Sequence, residues 1–305
     1  MTIKYFLCFI LISVCANSYG NALHTQLIDD LTYLASSDLM GRKTATEGAV
    51  NTRIYLHNRL SEINLTVSEQ TFTYKSGVFE HTQGINIVAK PAQSTPHPKI
   101  IITAHYDHLG KRGGKYYLGA NDNATGVAAL LYLASSLQNT EFPYEFIFVL
   151  TDAEENGLHG SKHFAQTLNP NNVLMNINLD MLGVKKHKAR VYALASYSLK
   201  QKLKPVFWAL KNTKITIKPA YSSKQMNRLI KSQNIDWHRA SDHYSFARNN
   251  IPYVYFGMGH DPHHHTTKDT AEHIDLPKYI NTVLTIEQFI KQLAQAPADD
   301  LNAET

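Results

Sequence analysis

Two histidines and three carboxylates, His105, Asp122, Glu155, Asp180 and His265, are spread over about half of the 305-residue chain. Each lies in a short motif that ends an apolar, strand-like run or opens a glycine-containing turn. Neutral imidazole and carboxylate are good zinc ligands, and this set suits two zinc ions sharing one bridging carboxylate. A further acid, Glu154, is then left over to carry protons. Six of the sixteen histidines collect in His105 to His108 and His260 to His265, as a metal site requires. The implied chemistry is metal-assisted hydrolysis.

Such a set works only if elements far apart in sequence bring it together. Lys99-Ile-Ile-Ile-Thr-Ala104 is apolar past its first residue and is bounded by Pro98 and the polar His105-Tyr-Asp-His108, the pattern of a strand buried on both faces. Glu145 to Thr151 and Val173 to Leu179 predict two more central strands, and Gly84 to Lys90, Ala189 to Ala195 and Pro252 to Phe256 shorter ones. Helical spacing marks Gln26 to Ser36, Thr46 to Leu60, Gly126 to Leu137, Ser161 to Leu168 and Pro277 to Ala294, with further helices inside Lys200 to Ser245. Alternating strands and helices predict one α/β domain: a central, twisted, mostly parallel (mixed) sheet sandwiched by helices. His105, the Asp152 to Glu155 loop and Asp180 each follow a central strand, so they meet beyond the carboxyl ends of the strands, where open α/β sheets place their catalytic crevice.

With these motifs in place the chain resembles peptidase family M28, the di-zinc peptidases, in their bacterial aminopeptidase form. The likeness rests on His105-Tyr-Asp107-His-Leu-Gly110, Gly119-Ala-Asn-Asp122-Asn-Ala-Thr-Gly126, Asp152-Ala-Glu154-Glu155-Asn-Gly157, Asn178-Leu-Asp180-Met181 and His265-Thr-Thr-Lys-Asp269-Thr270, in the family's order. Leu34-Ala-Ser-Ser-Asp-Leu-Met-Gly-Arg42 extends it toward the amino end. The resemblance implies that His105 and Asp180 hold one zinc, Glu155 and His265 the other, and that Asp122 bridges them. It further implies that Asp107 orients a ligand imidazole, that Glu154 is the general base, and that the fold is zinc-peptidase-like. Some relatives carry an oxyanion-binding tyrosine three residues before a Ser-Asp-His element. Here Ser241-Asp242-His243 is preceded at that place by His238, which becomes the candidate donor.

The implied activity is removal of amino-terminal residues from peptides with a free amino terminus, by a metal-bridged water and Glu154. The alternatives within the same fold are a glutaminyl cyclase-like acyltransferase and a carboxypeptidase, for which Arg239 or Arg248 would supply a carboxylate clamp. His108, His260, His263 and His264 are read as pocket wall or bystanders, although the run His263-His264-His265 leaves the ligand register open. No Gly-x-Ser-x-Gly elbow accompanies Ser241-Asp242-His243, and no His-Glu-x-x-His pair is present.

Composition sets the outer bounds. With 43% hydrophobic and 18% charged residues the chain can bury a large core without staples. Residues 1–20, with one charge at Lys4 and an apolar run from Tyr5 to Val14, are laid out as a signal peptide rather than a membrane span, which predicts export to the periplasm or medium. Both cysteines, Cys8 and Cys15, fall inside it, so residues 21–295 are expected to form the peptidase domain without disulfides or thiolate ligands. Val14 is a poor match for lipid modification of Cys15. Residues 296–305 are expected to be a disordered tail. Scattered lysines and arginines, without interleaved stacking aromatics, argue against nucleic-acid binding.

Overall fold

The apolar run beginning at Lys99 forms a strand at the heart of an eight-stranded sheet. The protein is seen here as a computed structural model that describes residues 20–93, 95–138, 140–183, 189–232 and 235–295. The signal-peptide assignment, apart from residue 20, and the carboxyl tail lie outside these residues. The strands are β1 (Leu65–Lys75), β2 (His81–Pro91), β3 (Lys99–His105), β6 (Glu145–Thr151), β7 (Val173–Leu179), β8 (Arg190–Ala195), β9 (Thr216–Ala220) and β10 (Tyr253–Gly257). A separate hairpin of β4 (Gly110–Arg112) and β5 (Lys115–Tyr117) lies beside them. Sheet order is β1-β2-β6-β3-β7-β10-β8-β9. The four central strands are mutually parallel, and antiparallel pairing appears at β1/β2, β2/β6 and β10/β8.

The helices are α1 (residues 20–34), α2 (Glu47–Ser61), α3 (Thr125–Leu137), α4 (His159–Gln166), α5 (Lys200–Ala209), α6 (Ser223–Ile230), α7 (His243–Arg248) and α8 (Leu276–Gln295). They cover both faces. Ile100, Ile102 and Ala104 pack into the cluster that takes in residues of α1, α2, α3, α5 and α8, whereas Ile101 points the other way, into a cluster with Phe164 of α4 and Phe246 of α7. That alternation is the period of two of a strand buried on both sides. In α1, Leu27, Leu31 and Leu34 are buried at helical spacing. At about 1.5–3 kcal/mol per fully buried leucine, packing rather than propensity holds this helix.

The departures from the expectation include the β4/β5 hairpin, two edge strands and helix boundaries. β1 is a long edge strand whose exposed outer residues weaken any apolar signal. β9, at the opposite edge, has five residues and contains Pro219, which a sheet tolerates at an edge. The helix expected over Ser161 to Leu168 instead spans His159–Gln166. No helix of the described residues is long and apolar enough to cross a membrane.

Candidate metal centre

Parallel pairing brings the carboxyl ends of β3, β6 and β7 to one edge. His105 is level with Thr151, and Thr103 is level with Asn178, so two residues further on His105 and Asp180 stand side by side. Below them Thr103 Oγ1 donates to Asn178 Oδ1 at 2.7 Å, and Asn178 Nδ2 donates to Ser241 Oγ at 2.8 Å. Thr151 Oγ1 donates to Asp242. Ser241 and Asp242 therefore tie the loop before α7 to the floor of the site.

Asp122 arrives from a different direction, on the turn between β5 and α3. Its backbone N–H and that of Asn121 donate to the two carboxylate oxygens of Asp269, at 3.0 and 2.8 Å. Asp269 thus joins the Asp122 turn to the loop carrying His265. Gly119 opens the turn at φ +59°, where a Cβ would meet the Asp122 carbonyl oxygen at 2.1 Å. Several non-glycine residues at the site adopt the left-handed region: Ala153 before Glu154, Met181 after Asp180, and His265 itself, with φ values of 55°, 55° and 56°. Such strain persists only where surrounding contacts impose it, and it concentrates at functional sites.

The carboxylate of Asp122 lies between two acid–imidazole pairs. On one side His105 Nε2 is 3.4 Å from Asp122 Oδ1 and 3.6 Å from Asp180 Oδ1. On the other, His265 Nε2 is 3.2 Å from Asp122 Oδ2 and 2.9 Å from Glu155 Oε2. Asp122 Oδ2 and Asp180 Oδ1 are buried without a hydrogen-bond partner, an expensive condition for an anion. Oxygen and imidazole donors with unsatisfied lone pairs, converging within 4.8 Å in overlapping groups, fit zinc.

The same groups shift one another's titration strongly. Burial alone would raise Asp122, but contacts from His105, His264 and His265 hold its carboxyl well below the usual carboxylate range. His105 is driven well above the usual imidazole range despite burial, by Glu154, Asp122 and Asp180. In the same cavity Glu154 goes the opposite way. Burial, and then Asp242, Asp180 and Glu155, push it well above the usual range against the pull of His105. Two carboxylates pushed apart in this way are suited to different roles, one as ligand and one as proton carrier.

Three residues, His108, His264 and Arg42, take places that the sequence alone did not assign, and Asp107 adds contacts beyond the imidazole expected of it. His108, read as a bystander, is buried in the cluster with Nδ1 2.6 Å from Glu155 Oε1. His264 stacks on His265 at 3.8 Å and also reaches Asp122 Oδ2 at 3.2 Å, but of these two histidines it is His265 that is paired with Glu155 as well. Asp107 has its carboxylate 3.8 Å from His105 Nδ1 and accepts the backbone N–H groups of Glu154 and Glu155 at 3.0 and 3.3 Å, which positions both acids. Arg42 is fully buried and donates to the carbonyls of Leu34, Tyr106, Leu118 and Gly119. Burial lowers it to about 10 despite Asp269, Asp122, Asp107 and Glu155, so it remains a cation beneath the acid cluster.

The cluster lines a cavity of about 410 Å³, with Leu158, Met181, Ile235 and Trp237 as an apolar wall. His238 is not part of that lining. Its Nδ1 lies 2.5 Å from the Tyr253 hydroxyl, and its backbone N–H is held by Ser223 and Asp236, so the ring is engaged by Tyr253. Tyr255, two residues along β10 from Tyr253, does line the cavity. A Cβ at Gly257 would come within 2.4 Å of the Tyr255 hydroxyl and 2.9 Å of the Asp180 carbonyl oxygen. Glycine there leaves room for the phenol to lie along the strand toward Asp180. Burial, then Asp180, Asp122 and Glu154, push Tyr255 well above the usual phenol range and keep it protonated.

Comparison with known proteins joins this geometry to a family. Aminopeptidase YwaD of Bacillus subtilis (strain 168) is 34% identical over 125 residues, which is 40% of this chain and 26% of that protein. The chain spans between about a fifth and about half the length of the curated relatives it matches. A zinc aminopeptidase structure from Bacillus subtilis superposes with TM-score 0.72 at 15% identity, covering 88% of this chain and 95% of that one. A glutaminyl cyclase from Fimbriiglobus ruber superposes with TM-score 0.69 at 18% identity over 88% and 94%. At these identities the superpositions show a shared fold. The model of peptidase family M28 matches residues 86–290, a stretch that holds every candidate ligand, and the chain belongs to that family.

Proposed function

We propose that the chain is a two-zinc aminopeptidase that removes the amino-terminal residue of peptides. The observation that carries the reading is the place of Asp122, whose two carboxylate oxygens face separate acid–imidazole pairs. His105 and Asp180 would hold one ion, Glu155 and His265 the other, and Asp122 both. When bound, zinc supplies Lewis acidity that polarises a carbonyl and acidifies water. Glu154, kept basic by burial and neighbouring acids, takes the proton of the attacking water and passes it to the leaving amine. The acids of the cavity also meet the charge of a free α-amine. Leu158, Met181, Ile235 and Trp237 offer an apolar surface to the side chain beside it.

Acetylation of a substrate's amine is therefore expected to abolish cleavage, while amidation of its far end leaves cleavage in place. Chromatography of the products of paired blocked peptides checks this. Cleavage of the acetylated peptide from its carboxyl end would replace the reading with a carboxypeptidase, and pyroglutamate release from a glutaminyl peptide would replace it with a cyclase.

The same proposal gives the oxyanion role to Tyr255 rather than His238, because only the former lines the cavity. Tyr255→Phe is expected to lower kcat by about 10²–10³, the scale of one oxyanion donor, with a smaller change in KM. His238→Ala should stay within about three-fold of wild type, roughly 0.65 kcal/mol. Steady-state kinetics at matched zinc content decide, and the larger loss falling on His238→Ala would reverse the assignment.

A further inference from the structure

A second cavity, of about 340 Å³, adjoins the metal cavity and shares Gly157, Leu158 and Arg239 with it. It is built by two short helices. On α4, Lys162 and Gln166 are four residues apart and so share a face, and Tyr244 and Arg248 do the same on α7. A hydrogen bond of 2.8 Å between Ser161 Oγ and Ser245 Oγ, both buried, locks the two helices against each other. Arg239 stands at the rim common to both cavities, its guanidinium 5.2 Å from the centre of the Tyr244 ring.

The charge of this cavity is one-sided. Its lining contains three cations, Lys162, Arg239 and Arg248, and no aspartate or glutamate. None of the three forms a salt bridge among the described residues, whereas other basic residues such as Arg59, Lys278 and Lys291 do. Three exposed like charges gathered around one concave site without an anion leave a local positive potential that solvent screens but does not cancel. The metal cavity next to it is dominated by carboxylates. A peptide lying across both would meet acids at its amine and cations further along.

We propose that this second cavity is a subsite for a carboxylate on the leaving side of the substrate, so that the enzyme favours peptides carrying a negative charge just beyond the cleaved bond. The proposal rests on the aminopeptidase reading above. The carboxylate has two sources, the chain terminus of a short peptide or an acidic side chain, and the cations would receive either. Arg239 and Arg248 are, on this account, part of an exopeptidase that works from the amino end.

Two pairs of peptides test it by kcat/KM for leucine release. Leu-Gly-Gly against its carboxamide varies the terminal charge, and Leu-Glu-Gly-amide against Leu-Gln-Gly-amide varies the side-chain charge. At least one pair is expected to favour the acid by about five-fold at low salt, a modest factor because the cations are exposed. The advantage should shrink as ionic strength rises. In a Lys162→Ala/Arg248→Ala double variant the acid-to-neutral ratio is expected to fall toward one. That ratio is insensitive to general structural damage, which slows both members of a pair alike. Ratios within about two-fold in both pairs, or a wild-type ratio that persists in the double variant, overturn the subsite and leave the aminopeptidase reading standing. Failure to release leucine from any of the four peptides overturns both.

Discussion

Glu154→Gln is expected to reduce turnover by about 10²–10⁴ while zinc content and Tm stay at their wild-type values. The substitution keeps size and shape and removes only the ability to accept a proton. Glu154 lines the cavity beside His105 and Asp180, yet its neighbour Glu155, not Glu154, pairs with His108 and His265. Asp107 grips the backbone N–H groups of both acids, so the change of one side chain leaves the loop in place. Metal analysis, thermal melts and steady-state kinetics on one preparation make the check. Wild-type turnover removes Glu154 from the mechanism, and loss of zinc would mean that Glu154 and Glu155 exchange roles.

Asp122→Asn is the second large effect. An amide keeps one good oxygen donor but gives up the negative charge that lets one residue neutralise two cations, and it turns an N–H₂ group toward one of the imidazole sites. Occupancy is expected to fall from about two zincs per chain toward one. Activity should fall by more than the 10–100-fold usual when a residue behind a metal ligand is lost. Stability adds an independent reading, because metal bound only by the folded state raises Tm. The gap in Tm between zinc-loaded and chelated protein should narrow in the variant. Atomic emission on purified protein counts the ions. A single tightly held zinc in fully active wild type would end the two-metal account.

Much of this protein is legible in its sequence for one physical reason. A parallel strand buried on both faces needs no polar alternation, so continuous apolar runs such as Ile100 to Ile102 and Phe146 to Leu150 stand out, and the first polar residues after them mark the sheet edge where the acids gather. Spacing along the chain records such local events. It does not record partners. Arg42 finds the carbonyls of Leu118 and Gly119, and Asp269 finds the backbone of Asn121 and Asp122, only when the sheet has assembled. The edge strands β1 and β9 escape notice because one flank of each lacks a strand to pack beside it. That Tyr255 lines the cavity and His238 does not is likewise a property of the tertiary structure. Nothing near position 238 in sequence announces that Tyr253 will capture its ring, or that Gly257 will clear a path for the phenol of Tyr255 toward Asp180. The types of the site residues and their order are local properties of the chain. The direction in which each side chain points is set by contacts from segments scores of residues away, and so it was decided only in the folded protein.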